Sequence, residues 1–212
     1  MAIGVGLSSR SRLATSVLVQ MAAEAERLGY DWIFTNEHGN DALLTAALFG
    51  AATRRAAIAT GIVNAFLRHP ALTAASAVSL ADATGGRFVL GLGTGHRLVS
   101  EVQLGIAIDQ PLARLRECLA IVRGLTTHGQ VDFEGRYYRA RGIALMLPPP
   151  AQPVPIYLAV LGLRAAQAAG ELADGVILNF APSQHVAAAI AAVREGARRA
   201  GRHPEAVKIV CY

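Results

Sequence analysis

The chain has 212 residues, of which 53% are hydrophobic and 17% charged. That length spans one large domain or two small ones, and the apolar share supplies a core, which excludes intrinsic disorder. The net charge is +5, but the basic residues are scattered. Their densest group, REGARRAGRH (194–203), falls late in a helix pattern, where cations complement the helix dipole, so no nucleic-acid partner is expected.

No apolar run reaches the roughly 20 residues of a membrane helix, so no membrane partner is expected either. The opening MAIGVGLSSRSR sets its arginines after the apolar residues, the reverse of a secretory signal. These features point to a cytoplasmic protein, and the arginine- and alanine-rich composition fits a GC-rich bacterial genome. Cys118 and Cys211 form no metal or redox motif and are expected to be reduced and structural.

Taken in order, short β-rich runs alternate with alanine-rich helical stretches. IGVGL (3–7) reads as the first strand. Leu18, Met21, Ala25 and Leu28 then recur at helical spacing, and Gly29 ends the helix. DWIFTNE (31–37) is the second strand, followed by a helix over 41–55. IATGIVNAF (58–66) is the third strand. The next helix opens at Pro70, after His69, and stops at Gly85-Gly86. FVLGLG (88–93) is the fourth strand, and a longer helix runs from Pro111 to Gly129. The segment 130–146 breaks the rhythm, its EGR turn predicting a hairpin insertion, and prolines 148–150 lead back. VPIYLAV (154–160), LRAAQAAGELA and GVILNF (175–180) make a fifth strand, its helix and a sixth strand. Ser183 is expected to cap the following helix, which ends at Gly201. VKIVCY (207–212) is the seventh strand.

Such alternation implies a parallel sheet with right-handed crossovers, either doubly wound or a TIM-type (β/α) barrel without its last unit. In both, functional residues gather beyond the carboxyl ends of the strands. TNEHGN, IVNAF, GTGH, VLGLR and NFAPS should therefore share one mouth.

Within that mouth, RFVLGLGTGH (87–96) places a glycine at every second residue from Gly91 to Gly95. It is neither a dinucleotide fingerprint nor a P-loop. Bare backbone of this kind turns a corner or admits a phosphate or a flat ring, and Thr94 adds a hydroxyl. TNEHGN sets Glu37 beside His38, a pairing suited to acid–base work or to a hydrogen-bonded strand end. No local ligand spacing supports a metal site. His128, His185 and His203 lie at helix ends and should be exposed, and no nucleophile elbow is present.

The stretch 60–96, together with VDFEGRYYRARG, VPIYLAV, AGELADGVILNF and EGARRAGRHPEAVKI, resembles the bacterial luciferase-like oxidoreductases. It is most similar to their deazaflavin-dependent branch, which includes methylenetetrahydromethanopterin reductase-like proteins. The resemblance implies a single TIM-type barrel domain over 1–212, with a hairpin insertion after the fourth helix (130–150). It implies hydride transfer between coenzyme F420 and a small organic substrate. The alternatives are an FMN-dependent monooxygenase and a non-catalytic flavin-binding short relative or fragment. It further implies a bulge with a non-proline cis peptide at Gly61-Ile62 behind the ring, with Asn64 beside it, and His38 and Glu37 next to the ring. Thr94 and Gly95 would meet the cofactor, and Gly162, Leu163 and Arg164 would receive a phosphate at a helix end. The glycines would then clear a path for cofactor and substrate. At His96, sugar-phosphate dehydrogenase relatives carry a glutamate proton donor, so histidine there implies a different substrate. The family barrel closes with an eighth strand, and the open edge left here implies a covering partner such as a second copy, or a short or fragmentary member.

Overall fold

The computed structural model describes residues 2–8, 11–148, 150–179 and 182–212. Met1, Ser9 and Arg10 of the opening segment, Pro149 of the proline run, and Phe180 and Ala181 of NFAPS lie outside them. The elements are β1 (Gly4–Gly6), α1 (Thr15–Arg27), β2 (Trp32–Thr35), α2 (Ala42–Ala52), β3 (Ala57–Thr60), β4 (Val63–Asn64), α3 (Pro70–Ala83), β5 (Phe88–Gly93), α4 (Pro111–His128), β6 (Gln130–Glu134), β7 (Arg139–Ala144), β8 (Ile156–Val160), α5 (Leu163–Leu172), β9 (Gly175–Leu178), α6 (Ser183–Arg199) and β10 (Lys208–Cys211). β6 and β7 pair as the expected antiparallel hairpin after α4. The other strands form one parallel sheet in the order β1-β2-β3-β5-β8-β9-β10, with β4 prolonging the β3 line beside β5.

The sheet is an incomplete TIM-type barrel. β1 and β10 stand at opposite ends of the strand order. Yet Tyr212, just past β10, meets Phe34 of β2 edge to face, with ring centroids 4.9 Å apart. The two ends of the sheet therefore approach each other, in keeping with the right-handed twist of parallel strands. Both faces are covered, which is why FVLGLG reads as an unbroken apolar run. Outward side chains such as Ile33, Ile58, Phe88, Leu90 and Ile156 are fully buried under the helices. Inward ones, Ala59, Val89 and Tyr157 with Trp32, Phe34 and Ile177, form a second, smaller cluster inside the curl.

The predicted α1 stripe is only half covered. Leu18 and Ala25 are buried, whereas Met21 and Leu28 are 40% and 62% exposed. The latter two line a groove of about 380 Å³ between α1 and β1, with Val5, Leu7, Val17 and Tyr30. An edge strand leaves its flanking helix without a neighbour on one side, so the apolar stripe stays visible. Ser183 is not the cap of α6. Pro182 occupies that position and no side chain among the described residues caps the helix, so Ser183 is the first residue of α6. Among the described residues no helix is long and apolar enough to cross a membrane.

Candidate functional site

Because the strands run parallel, their carboxyl ends share one rim, and a bulge in the third strand organises it. Ala59 pairs with Val89 and Val63 with Leu92, so the β3–β4 line carries one residue more than β5 over the same stretch. The Gly61-Ile62 peptide within this bulge is cis. An extra residue breaks the ladder locally and orphans backbone groups on the facing strand. Here the buried Thr60 hydroxyl restores them: it accepts the Gly91 N–H and donates to the Gly91 carbonyl, both at 2.9 Å.

The three glycines of GLGTG answer that bulge. A Cβ on Gly91 would overlap the Thr60 carbonyl. One on Gly93 would lie 3.1 Å from the Ile62 side chain. One on Gly95, whose φ is +67°, would overlap the Asn64 amide. Residues 91, 93 and 95 thus receive residues 60, 62 and 64. The path these glycines clear is filled first by their own neighbour strand.

Asn64 is buried and fully engaged. Its Nδ2 donates to Ser100 Oγ at 3.1 Å, and its Oδ1 accepts the Phe66 N–H at 3.0 Å. Ser100 sits in a π-helical turn, Leu98–Gln103, that opens where the His96 carbonyl accepts the Ser100 N–H. The amide of Asn64 therefore braces the GTGH turn from below, leaving the ring of His96 exposed at the rim.

Glu37 is tied down as well. Its backbone N–H donates to the Ile62 carbonyl, its Oε2 accepts the Asn64 N–H at 2.7 Å, and its Oε1 accepts from Arg68 at 2.9 Å. Burial pushes this carboxyl above its ordinary range, while the Asn64 N–H and the Arg68 guanidinium pull it back. His38 is half-buried on the next residue, its N–H donating to Asn40 Oδ1. Glu37, Ile62, Asn64 and Gly95 are thus joined by contact, and His38, Thr94 and His96 flank them on the same rim.

Gly162, Leu163 and Arg164 are exposed at the end of β8, next to β5 in the sheet. Gly162 is the N-cap of α5, and among the described residues no side chain caps it and a Cβ there would meet nothing within 4 Å. A first turn with free N–H groups, an adjacent guanidinium and open space suits an anion. Among the described residues no group of three His, Cys, Asp or Glu side chains could hold a metal ion. His128, His185 and His203 are exposed as expected, and His69 accepts the Ala71 N–H at the start of α3. Cys118 is buried, its thiol pushed up to about 12 by burial, while Cys211 is exposed and so does not fit the structural role expected of it.

The sequence assigns no role to three residues of this network, Thr60, Arg68 and Ser100. Arg68 stands next to His69-Pro70 at a helix entry, which places it beside the rim without naming its partners. The roles of Thr60 and Ser100 depend on partners on other elements.

These features define an incomplete α/β barrel of TIM type with an exposed helix start and two histidines on a bulge-braced rim. The chain belongs to the luciferase-like monooxygenase family, whose sequence profile matches residues 3–212. It is 36% identical over 211 residues to the F420-dependent glucose-6-phosphate dehydrogenase of Nakamurella multipartita, covering 92% of this chain and 62% of that one. It is 32% identical over 197 residues to the 5,10-methylenetetrahydromethanopterin reductase of Methanolobus tindarius, covering 92% and 60%. The chain thus spans about three fifths of the length of these curated relatives. In fold it matches the coenzyme F420-dependent tetrahydromethanopterin reductase of Methanopyrus kandleri, with a TM-score of 0.88 at 23% identity, over 100% of this chain and 65% of that one. It also matches the monooxygenase RslO1 of Streptomyces bottropensis, with a TM-score of 0.84 at 25% identity, over 99% and 70%.

Proposed function

We propose that this chain carries the cofactor rim of an oxidoreductase that moves a hydride between coenzyme F420 and a small organic substrate. The observation that carries the reading is the pairing of the braced rim around His38 and His96 with the uncapped, Arg164-flanked start of α5. The first suits a flat ring and the second a phosphate. The relatives named as F420-dependent support the choice of coenzyme.

When bound, the deazaflavin supplies a carbon centre that accepts or gives a hydride; the protein supplies geometry and proton handling. In this reading Gly61 and Ile62 back the ring, Asn64, Thr94 and Gly95 shape its edge, and Gly162, Leu163 and Arg164 hold the phosphate. His38 orients the ring and offsets charge developing on it. Glu37 holds the strand end from which His38 projects. A substrate that loses hydride from carbon must also lose a proton from its heteroatom, and exposed His96 takes that proton or returns it in reverse. Removing one such group costs roughly 10²–10⁴-fold in rate.

Titrating the purified protein with F420 and with FMN tests the coenzyme. Tighter binding of F420 is expected, and a preference for FMN would overturn the reading. The likeness to the monooxygenase RslO1 is the observation on the side of a monooxygenase. Tight F420 binding without turnover of alcohols, sugar phosphates or pterin carriers would leave the non-catalytic alternative. If His96→Ala retains full turnover, His96 is not the proton carrier.

A further inference from the structure

The loop from Glu37 to Asp41 carries His38, and a single guanidinium meets the carboxylates at both its ends. Arg68 Nη2 lies 2.9 Å from Glu37 Oε1 and 3.1 Å from Asp41 Oδ2. We propose that Arg68 is a positioning residue that staples this loop to the rim by pairing the two carboxylates flanking His38.

Each carboxylate is anchored on its far side to rigid backbone. Glu37 Oε2 accepts the Asn64 N–H of β4. Asp41 Oδ1 accepts the Leu43 and Leu44 N–H groups as the N-cap of α2. Between them the loop is pinned to α2, since His38 N donates to Asn40 Oδ1 and Asn40 Nδ2 donates to Thr45 Oγ1. Arg68 is held from a third direction, because the next residue, His69, accepts the Ala71 N–H at the entrance to α3. The guanidinium therefore joins β2, the bulge strand β4, α2 and α3 where the loop sits. Its side chain is 18% exposed and that of Glu37 8%, so the pair is poorly screened.

The electrostatics follow from the same geometry. The charged groups coupled to the Glu37 carboxylate are Arg68, from the segment before α3, and Asp41, from the start of α2. His38 is the titratable neighbour on its own loop. The His69 ring turns away, its Nε2 lying 3.2 Å from the Arg139 carbonyl oxygen. Without Arg68, two carboxylates face each other in a half-buried site. Burial and Asp41 both favour the proton on Glu37, and only the Asn64 N–H opposes them. Loss of Arg68 thus shifts Glu37 further toward its neutral form, which grips the loop less firmly.

The consequence for coenzyme binding rests on the deazaflavin reading; the consequence for the loop does not. The test compares wild type, Arg68→Met, Arg68→Lys and Asp41→Asn as full chains. The Glu37 side-chain carboxyl resonance (assigned with Glu37→Gln), the His38 backbone amide resonance and F420 affinity by fluorescence are followed from pH 5 to 9. In Arg68→Met the Glu37 midpoint should move up, the His38 amide should shift, and F420 affinity should fall on the order of tenfold to a hundredfold, most steeply on the acid side. Arg68→Lys keeps the charge but not the planar fork, so it should restore the Glu37 midpoint and only part of the affinity. Asp41→Asn should lower the Glu37 midpoint. This arm decides the electrostatic coupling if Arg68→Met does not fold, and the His38 amide in Arg68→Lys then decides the staple. A folded Arg68→Met with Glu37 and His38 resonances as in wild type would overturn the proposal. Wild type that binds no F420 while these resonances respond as expected would overturn the coenzyme reading alone.

Discussion

The hydroxyl of Thr60 engages both backbone groups of Gly91, standing in for the ladder that the bulge interrupts. One small side chain thereby satisfies a buried N–H and a buried C=O on a neighbouring strand. Thr60→Val keeps the shape but leaves both groups unpaired, which should cost about 2–4 kcal/mol. Thr60→Ser keeps the hydroxyl and should lose under about 1 kcal/mol. Urea unfolding of both variants decides the matter; equal losses would mean that the methyl group, not the hydrogen-bond pair, holds the bulge.

The glycines at 91 and 95 predict a graded series. At Gly91 a methyl group meets the Thr60 carbonyl, which is backbone and cannot rotate aside. Gly91→Ala should therefore be among the most damaging changes in the chain, about 4 kcal/mol or more, or fail to give soluble protein. At Gly95 the obstacle is the Asn64 amide, together with a positive φ that costs an L-residue about 1–2 kcal/mol. Gly95→Ala should fold, with a smaller drop in unfolding midpoint and a weakened Asn64–Ser100 brace. A reversed order of stabilities would contradict the bulge-filling role assigned to these glycines.

Much of this architecture was legible in advance because it rests on local rules. Strand–helix alternation gave the parallel order, the EGR turn gave the hairpin, and glycine stops at 29, 85, 129 and 201 have the left-handed backbone that ends a helix. Ser183 misled because capping preference names a residue type, whereas the chain enters α6 through Pro182. Met21 and Leu28 fit the helical period but lie beside an edge strand, and periodicity cannot tell which stripe finds a neighbour. At the rim, residue chemistry marked His38, His96 and Glu37. It did not reveal that Glu37 has both oxygens engaged, since its partners come from β4 and the segment before α3. The resemblance makes Asn64 a cofactor neighbour, and its amide braces Ser100 and Phe66. Pairings across elements are set by the fold, and a single sequence holds no direct record of them.

Two carboxylates outside the rim network should contribute to stability in acid. Glu26 accepts the N–H groups of Arg54, Arg55 and Ala56, and Glu117 those of Arg136, Tyr137 and Tyr138. Burial alone would raise both carboxyls, but the three backbone donors on each hold them below the ordinary value of 4.5. A lowered folded-state value means that the ionised form stabilises the fold. That contribution is complete above pH 4.5 and disappears as pH falls through the folded-state value. Glu37, raised by burial, has the opposite sign: its contribution is complete below its unfolded value and is lost as pH rises through the folded one. Unfolding midpoints in urea should therefore fall steeply below pH 4.5. Glu117→Gln should flatten that fall, and Glu37→Gln should not.

The start of α5 provides the last test, because it separates the phosphate from the ring. Gly162 leaves the first-turn N–H groups uncapped beside the exposed Arg164. If an anion sits there, it gains from the helix dipole, the free N–H groups and one exposed cation. Arg164→Ala removes only the cation, so F420 affinity should drop roughly tenfold at low ionic strength. The difference from wild type should shrink as salt screens the exposed charge. A bare deazaflavin chromophore without the phosphate-bearing side chain should bind both proteins equally. Calorimetric titration at two salt concentrations reads all of these. If Arg164→Ala weakened the bare chromophore as much as F420, the arginine would be acting on the ring, and the phosphate would have to lie elsewhere on the rim.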